Sequence, residues 1–189
     1  KELKGTTLGV VGYGHIGRQV GVLAQAFGMQ VLAHDPHVQQ AQAGVPLVSW
    51  AQLLSDSDHV VCLAPANAET EHLFNAEAFA RMKAGAWFIN AARGQLVDEQ
   101  ALRHALDHGH LGGAAMDVGS GPDQTPHLDL AQHPKVIATP HIGGLTPAAT
   151  EHQALETVAQ TRAILQGQCP VGAVNAEHAL RWRAATPSP

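Results

Sequence analysis

The chain has 189 residues, a net charge of −5, 45% hydrophobic residues, thirteen histidines and two cysteines. That length suits one α/β domain able to bury on the order of 70% of its unfolded surface. Scattered Lys and Arg leave no electrostatic footprint for nucleic acid, and two cysteines make no disulfide framework. No run reaches the roughly 18 apolar residues of a membrane span. Nor does a signal-peptide pattern open the chain, so the sequence reads as cytoplasmic. It starts at Lys1, a few residues before the first predicted strand, which reads as a fragment of a longer protein.

In chain order, Leu8–Val11 is a short apolar run that meets three glycines, Gly12, Gly14 and Gly17. Ile16, Val20, Leu23, Ala24 and Phe27 then recur at helical spacing, giving strand, tight turn, helix. The first glycine suits a turn that a side chain would block. The second admits a pyrophosphate to the backbone, and the third lets helix and strand pack closely. A helix start adds free N–H groups and partial positive charge. A lone G-x-G-x-x-G is not specific, but here the context is present. Val31-Leu32-Ala33 is a second strand, and Asp35 follows it, 23 positions after Gly12. An acid there accepts hydrogen bonds from ribose hydroxyls and repels a 2′-phosphate. No Arg or Lys follows in the next several residues, which favours NAD over NADP.

Ser49 is a predicted N-cap for a helix over Trp50–Leu54, and His59–Leu63 a third buried strand that closes the first half. The loop Ala64–Thr70 at its end borders the cofactor crevice in a doubly wound sheet. Asn75 caps a helix to Met82, and Trp87–Ile89 is a strand running into Asn90-Ala91-Ala92-Arg93-Gly94. Asp98 caps a helix to about His108, and Gly109 stops it. Gly112–Val118 is a strand of small residues, and Val136–Ala138 is the last strand. Thr146-Pro147 opens a helix to about Leu165 with Leu155, Val158 and Leu165 toward the core. Six strands alternating with helices predict an α/β Rossmann fold, a doubly wound parallel sheet in three αβα layers. Residues 1–166 form the dinucleotide-binding domain, and 167–189 a returning segment with a loose tail. His104, His108 and His110 are weighed as a metal site, but no Cys or acid completes a set; no metal is expected.

Arg93, Asp117 and His141 each follow an apolar strand at its C-terminal end, where strand ends converge on the crevice. Together, on a nucleotide fold, they form the set that ketone reduction requires.

The motifs LGVVGYGHIGRQV, MKAGAWFINAARGQLVDEQAL and VIATPHIGGLT resemble those of the D-isomer-specific 2-hydroxyacid dehydrogenases across nearly the whole chain. The resemblance implies that Arg93 grips the substrate carboxylate and polarises its ketone, as an always-charged bidentate donor does. It implies His141 as acid/base; an imidazole, with an unperturbed pKa of about 6.5, suits that task. It sets Asp117 at the nicotinamide end. It adds His15 and Ile16 to the glycines, and Pro36 to Asp35. Further cofactor contacts are implied at Ala64, Pro65, Asn67 and Thr70, at Ala91, Ala92 and Arg93, and at His141, Gly143 and Gly144. A small 2-ketoacid or 2-hydroxyacid substrate and a homodimer follow from the same likeness.

One departure matters. The family pairs its histidine with a Glu in a Glu-Pro dipeptide, whereas this chain reads Asp117-Val118-Gly119-Ser120-Gly121-Pro122-Asp123. Aligning the prolines puts Gly121 at the Glu position. Asp123 is the nearest carboxylate and the candidate partner of His141, with Asp129 more remote. Asn67 stands where the family often has Thr. The family's substrate domain lies mostly upstream and is not in this chain. Two readings stand: an NAD-dependent 2-ketoacid reductase, or a non-catalytic NAD-sensing protein like the corepressors that resemble this family.

Overall fold

Six parallel strands make one sheet in the computed structural model, which describes residues 2–40, 44–173 and 176–178. They are β1 (Thr7–Val11), β2 (Gln30–His34), β3 (His59–Cys62), β4 (Trp87–Asn90), β5 (Gly113–Met116) and β6 (Val136–Ala138), in the order β2-β1-β3-β4-β5-β6. β3 therefore lies on the far side of β1 from β2. On the other side of β2, Leu47 makes an isolated parallel bridge to Ala33. The order reverses between β1 and β3, and the strand ends on either side of that reversal frame a crevice.

Strand residues alternate between two cores, as the pleat requires. Val11, Val60, Cys62 and Phe88 join α2 (Trp50–Asp56), α3 (Ala76–Arg81) and α4 (Glu99–Asp107) in a cluster holding Leu53, Phe79, Leu102 and Leu106. Val10, Val31 and Val61 face the other way, toward Tyr13 in the glycine turn and Ala24 in α1 (His15–Ala26). The predicted caps form as written: the Ser49 hydroxyl accepts from Gln52 N, Asn75 Oδ1 from Ala78 N, and Asp98 Oδ1 from Gln100 N and Ala101 N.

α1 departs from its apolar periodicity. Its inward residues are Gly17, Gly21 and Ala24, while Ile16, Leu23 and Phe27 are each about 60% exposed (62%, 60% and 64%). Small residues at this interface let α1 lie close to the sheet, and the larger apolar side chains turn outward. A short helix, α5 (Leu128–Ala131), is not expected from the sequence, having no side-chain N-cap to mark it.

The chain divides into two compact units, 1–141 and 142–189. The second contains α6 (Pro147–Leu165), capped by the Thr146 hydroxyl, which accepts from Ala149 N. Leu155, Val158 and Leu165 of α6 are 62%, 65% and 83% exposed, which overturns the expectation that they face a core. Alternating small and polar residues leave α6 no apolar face wide enough to bury. Val174, Asn175 and the predicted tail Arg181–Pro189 lie outside the described residues. Among the described residues no helix is long and apolar enough to cross a membrane.

Candidate active site

Gly12 ends β1 with φ +88°, a left-handed conformation that disfavours side chains. A Cβ there would lie 2.6 Å from Ala64 N, so the turn and the loop after β3 approach too closely for any other residue. A Cβ on Gly17 would overlap the Gly12 carbonyl oxygen, whereas Gly14, the N-cap of α1, faces open space. His15 and Ile16 stand exposed in the first turn of α1.

Asp35 is tied to this turn. Its Oδ2 accepts from Tyr13 N and its Oδ1 from His37 N, each at 2.9 Å. It lines a cleft of about 460 Å³ with Gly12, Gly14 and Pro36 on one side and Ala64, Pro65, Asn67 and Thr70 on the other. Eight expected cofactor residues thus share one cavity. Asn67 acts on its own loop: its Oδ1 accepts from Glu69 N at 2.8 Å and Thr70 N at 3.1 Å, while the Thr70 hydroxyl donates to Pro65 O at 2.8 Å. His34, His37, Val38 and Leu73 also line the cleft. Their proximity follows from strand order, which no local pattern reveals.

A second group gathers at the ends of β4, β5 and β6. Asn90, 1% exposed, donates from Nδ2 to Arg93 O at 3.0 Å and accepts at Oδ1 from Ala92 N at 3.1 Å. Its carboxamide thereby shapes the turn Ala91–Arg93. The Asn90 carbonyl accepts from Asp117 N at 3.1 Å, and the Asp117 carbonyl accepts from His141 N at 2.9 Å. Arg93, Asp117 and His141 are therefore joined by consecutive hydrogen bonds across three neighbouring strand ends. The role of Asn90 is not expected from the sequence, although a polar residue ending the WFIN strand is its visible signal.

Arg93 is exposed beside a cavity of about 550 Å³, and its Nη1 donates to Ala92 O at 2.7 Å. The Asp117 carboxylate accepts from the Thr139 hydroxyl at 2.6 Å. His141 has φ +55°, and its Nδ1 lies 3.4 Å from Asp123 O, the main-chain carbonyl oxygen of that residue. Gly143 and Gly144 belong to the second unit. Cys62 is fully buried at the end of β3, and burial pushes its thiol up to about 12, away from the thiolate form that nucleophilic chemistry needs. Among the described residues no three His, Cys, Asp or Glu side chains cluster to hold a metal ion. The His104 and His108 rings instead stack with centroids 3.9 Å apart.

Residues 1–143 match the D-isomer specific 2-hydroxyacid dehydrogenase, NAD binding domain. The chain belongs to this family. It is 40% identical over 178 residues to D-3-phosphoglycerate dehydrogenase 2, chloroplastic, of Arabidopsis thaliana, covering 93% of this chain and 28% of that one. It is 42% identical over 168 residues to (S)-sulfolactate dehydrogenase of Chromohalobacter salexigens, covering 87% of this chain and 54% of that one. Among solved structures, D-lactate dehydrogenase from Aquifex aeolicus, complexed with NAD and lactic acid, superposes with a TM-score of 0.79 at 32% identity, covering 100% of this chain and 60% of that one. The chain thus spans less than two thirds of the length of these relatives.

The cofactor of this family domain is NAD, and the residues present fit it. The bare backbone at Gly14 leaves space for a diphosphate at the start of α1. Asp35, fixed by two backbone N–H groups at the cleft wall, presents a carboxylate of the kind that ribose hydroxyls require.

Proposed function

We propose that this chain is the cofactor-binding half of an oxidoreductase that interconverts a 2-ketoacid and a D-2-hydroxyacid. The run of hydrogen bonds linking Arg93, Asn90, Asp117 and His141 beside the dinucleotide cleft carries this reading. When bound, NADH supplies the hydride, and NAD accepts it in the reverse direction.

The chain's own residues do the rest. With Nη1 held by Ala92 O, the Arg93 guanidinium keeps a fixed orientation and offers its remaining N–H groups to the substrate carboxylate and carbonyl. His141, with Nδ1 toward the protein, gives a proton from Nε2 to the carbonyl oxygen on reduction and takes it back on oxidation. Asp117, steadied by Thr139, anchors the nicotinamide end. A homodimer belongs to the same proposal: the exposed apolar stripe Ile16, Leu23 and Phe27 on α1 is surface that a second copy would cover.

A non-catalytic, NAD-sensing role is the rival, because His141 Nδ1 meets a carbonyl oxygen of the facing loop and Gly121 stands where the family has its Glu. The discriminating experiment follows NADH absorbance in the whole protein with glyoxylate, hydroxypyruvate, pyruvate and phenylpyruvate. Ketoacid-dependent loss of NADH supports the enzyme; NADH binding without turnover on any of them supports the rival.

A further inference from the structure

We infer that the main-chain carbonyl of Asp123, and not a side-chain carboxylate, orients His141. This inference rests on the reading of His141 as acid/base and names the group that aims it.

Three observations meet at this point. First, both partners are held in place. The His141 N–H is shared between the carbonyls of Asp117 at 2.9 Å and Thr139 at 3.0 Å, which fixes the residue at φ +55°. Opposite it, Asp123 and Gln124 are consecutive left-handed residues, φ +54° and +60°, and this turn brings the Asp123 carbonyl to 3.4 Å from Nδ1. Non-glycine residues seldom take this conformation, and Asp and Asn tolerate it better than most.

Second, the loop has no room for a carboxylate at the position aligned with the family's Glu. A Cβ on Gly121 would lie 2.8 Å from the Thr125 carbonyl oxygen, because Gly121 N donates to that same oxygen at 2.8 Å. Gly119 is enclosed in the same way, against Pro126 and the Glu99 carboxylate.

Third, the Glu that reaches this loop is already occupied. Glu99, in the first turn of α4, accepts from Ser120 N at 2.6 Å and from His127 N at 3.3 Å. It holds the loop, and the loop holds the histidine.

A carbonyl oxygen can only accept, so it places the ring proton on Nδ1 and leaves Nε2 to exchange a proton with the substrate. The orienting contact then depends on the backbone angle at position 123 and not on its side chain.

Substitutions at one position separate the two possibilities. Asn and Gly both adopt positive φ, so Asp123→Asn and Asp123→Gly remove the carboxylate and keep the carbonyl in place. Proline is locked near φ −65°, so Asp123→Pro moves the carbonyl away. The readouts are the His141 ring tautomer, from ¹⁵N NMR of the 189-residue chain, and the pH–rate profile of the whole protein. The Asn and Gly variants are expected to keep the Nδ1-protonated tautomer and the parent's pH dependence. The Pro variant loses that tautomer and lowers kcat by about tenfold or more at unchanged NADH affinity, a barrier change of about 1.4 kcal/mol. A displaced pH profile or an altered tautomer in Asp123→Asn would overturn the inference, as would a parental tautomer in Asp123→Pro. Absence of turnover in the parent overturns the function proposed above, and the tautomer then decides this inference alone.

Discussion

At the scale of single residues, the glycine turn is set by geometry that admits little substitution. Gly12→Ala places a methyl group against Ala64 N in a conformation that alanine resists, at a cost of about 1 kcal/mol or more. Relief requires the turn and the β3 loop to part, which opens the cleft that Asp35 and Pro65 share. Fluorescence titration of Gly12→Ala with NADH is expected to show weakened binding at a lowered unfolding midpoint. Parental affinity would show that the turn does not shape the site. The same scale shows what sequence makes visible. Arg93, Asp117 and His141 were legible because each ends an apolar run, and a parallel sheet gathers such ends. Asn90 and the Asp123 carbonyl were not, because a buried carboxamide and a backbone angle leave no pattern in composition or spacing.

At the scale of elements, local chemistry placed the helices well. Ser49, Asn75, Asp98 and Thr146 are caps in the structure because an N-cap satisfies N–H groups within its own turn. What α1 buries was not legible: periodicity identifies the larger apolar side chains, whereas close helix–sheet approach favours Gly17, Gly21 and Ala24. Strand order was hidden for a related reason, since nothing within β3 states on which side of β1 it pairs.

Asp58 joins elements far apart in sequence. Its carboxylate accepts from Thr7 N at the start of β1 and from Lys83 Nζ beyond α3, each at 2.9 Å. The Thr7 hydrogen bond, followed by the bond to Lys83, holds the Asp58 carboxyl below its ordinary range. A depressed carboxyl stabilises the fold above its unfolded-state pKa, and that stabilisation fades as pH falls through the lowered folded-state value. Most of the effect belongs to the backbone bond, because an exposed ion pair adds little. Asp58→Ala is expected to lose about 1–2 kcal/mol in urea denaturation at neutral pH. The deficit should shrink in acid below the carboxylate range, and a deficit independent of pH would contradict the account.

At the scale of the molecule, the cofactor cleft and the strand-end group lie within the unit 1–141, while α6 belongs to the unit 142–189. The family match ends at residue 143, and the relatives extend well beyond the region this chain covers. Arg93 opens onto a cavity exposed to solvent, and orientation of a small substrate accounts for much of the rate in such reactions. The isolated 189-residue chain is therefore expected to bind NADH yet reduce ketoacids poorly. Robust turnover by the chain alone would show that its own residues suffice to close the site.

In the proposed reaction, His141 exchanges a proton with substrate while the glycine turn holds the cofactor independently of it. The measurement that tests it most directly compares the whole protein with its His141→Gln variant, reading ketoacid-dependent NADH oxidation alongside NADH affinity. General acid catalysis predicts that kcat falls by about 10²–10⁴-fold with NADH affinity unchanged. Parental kcat in the variant, or loss of NADH binding in step with activity, would contradict it.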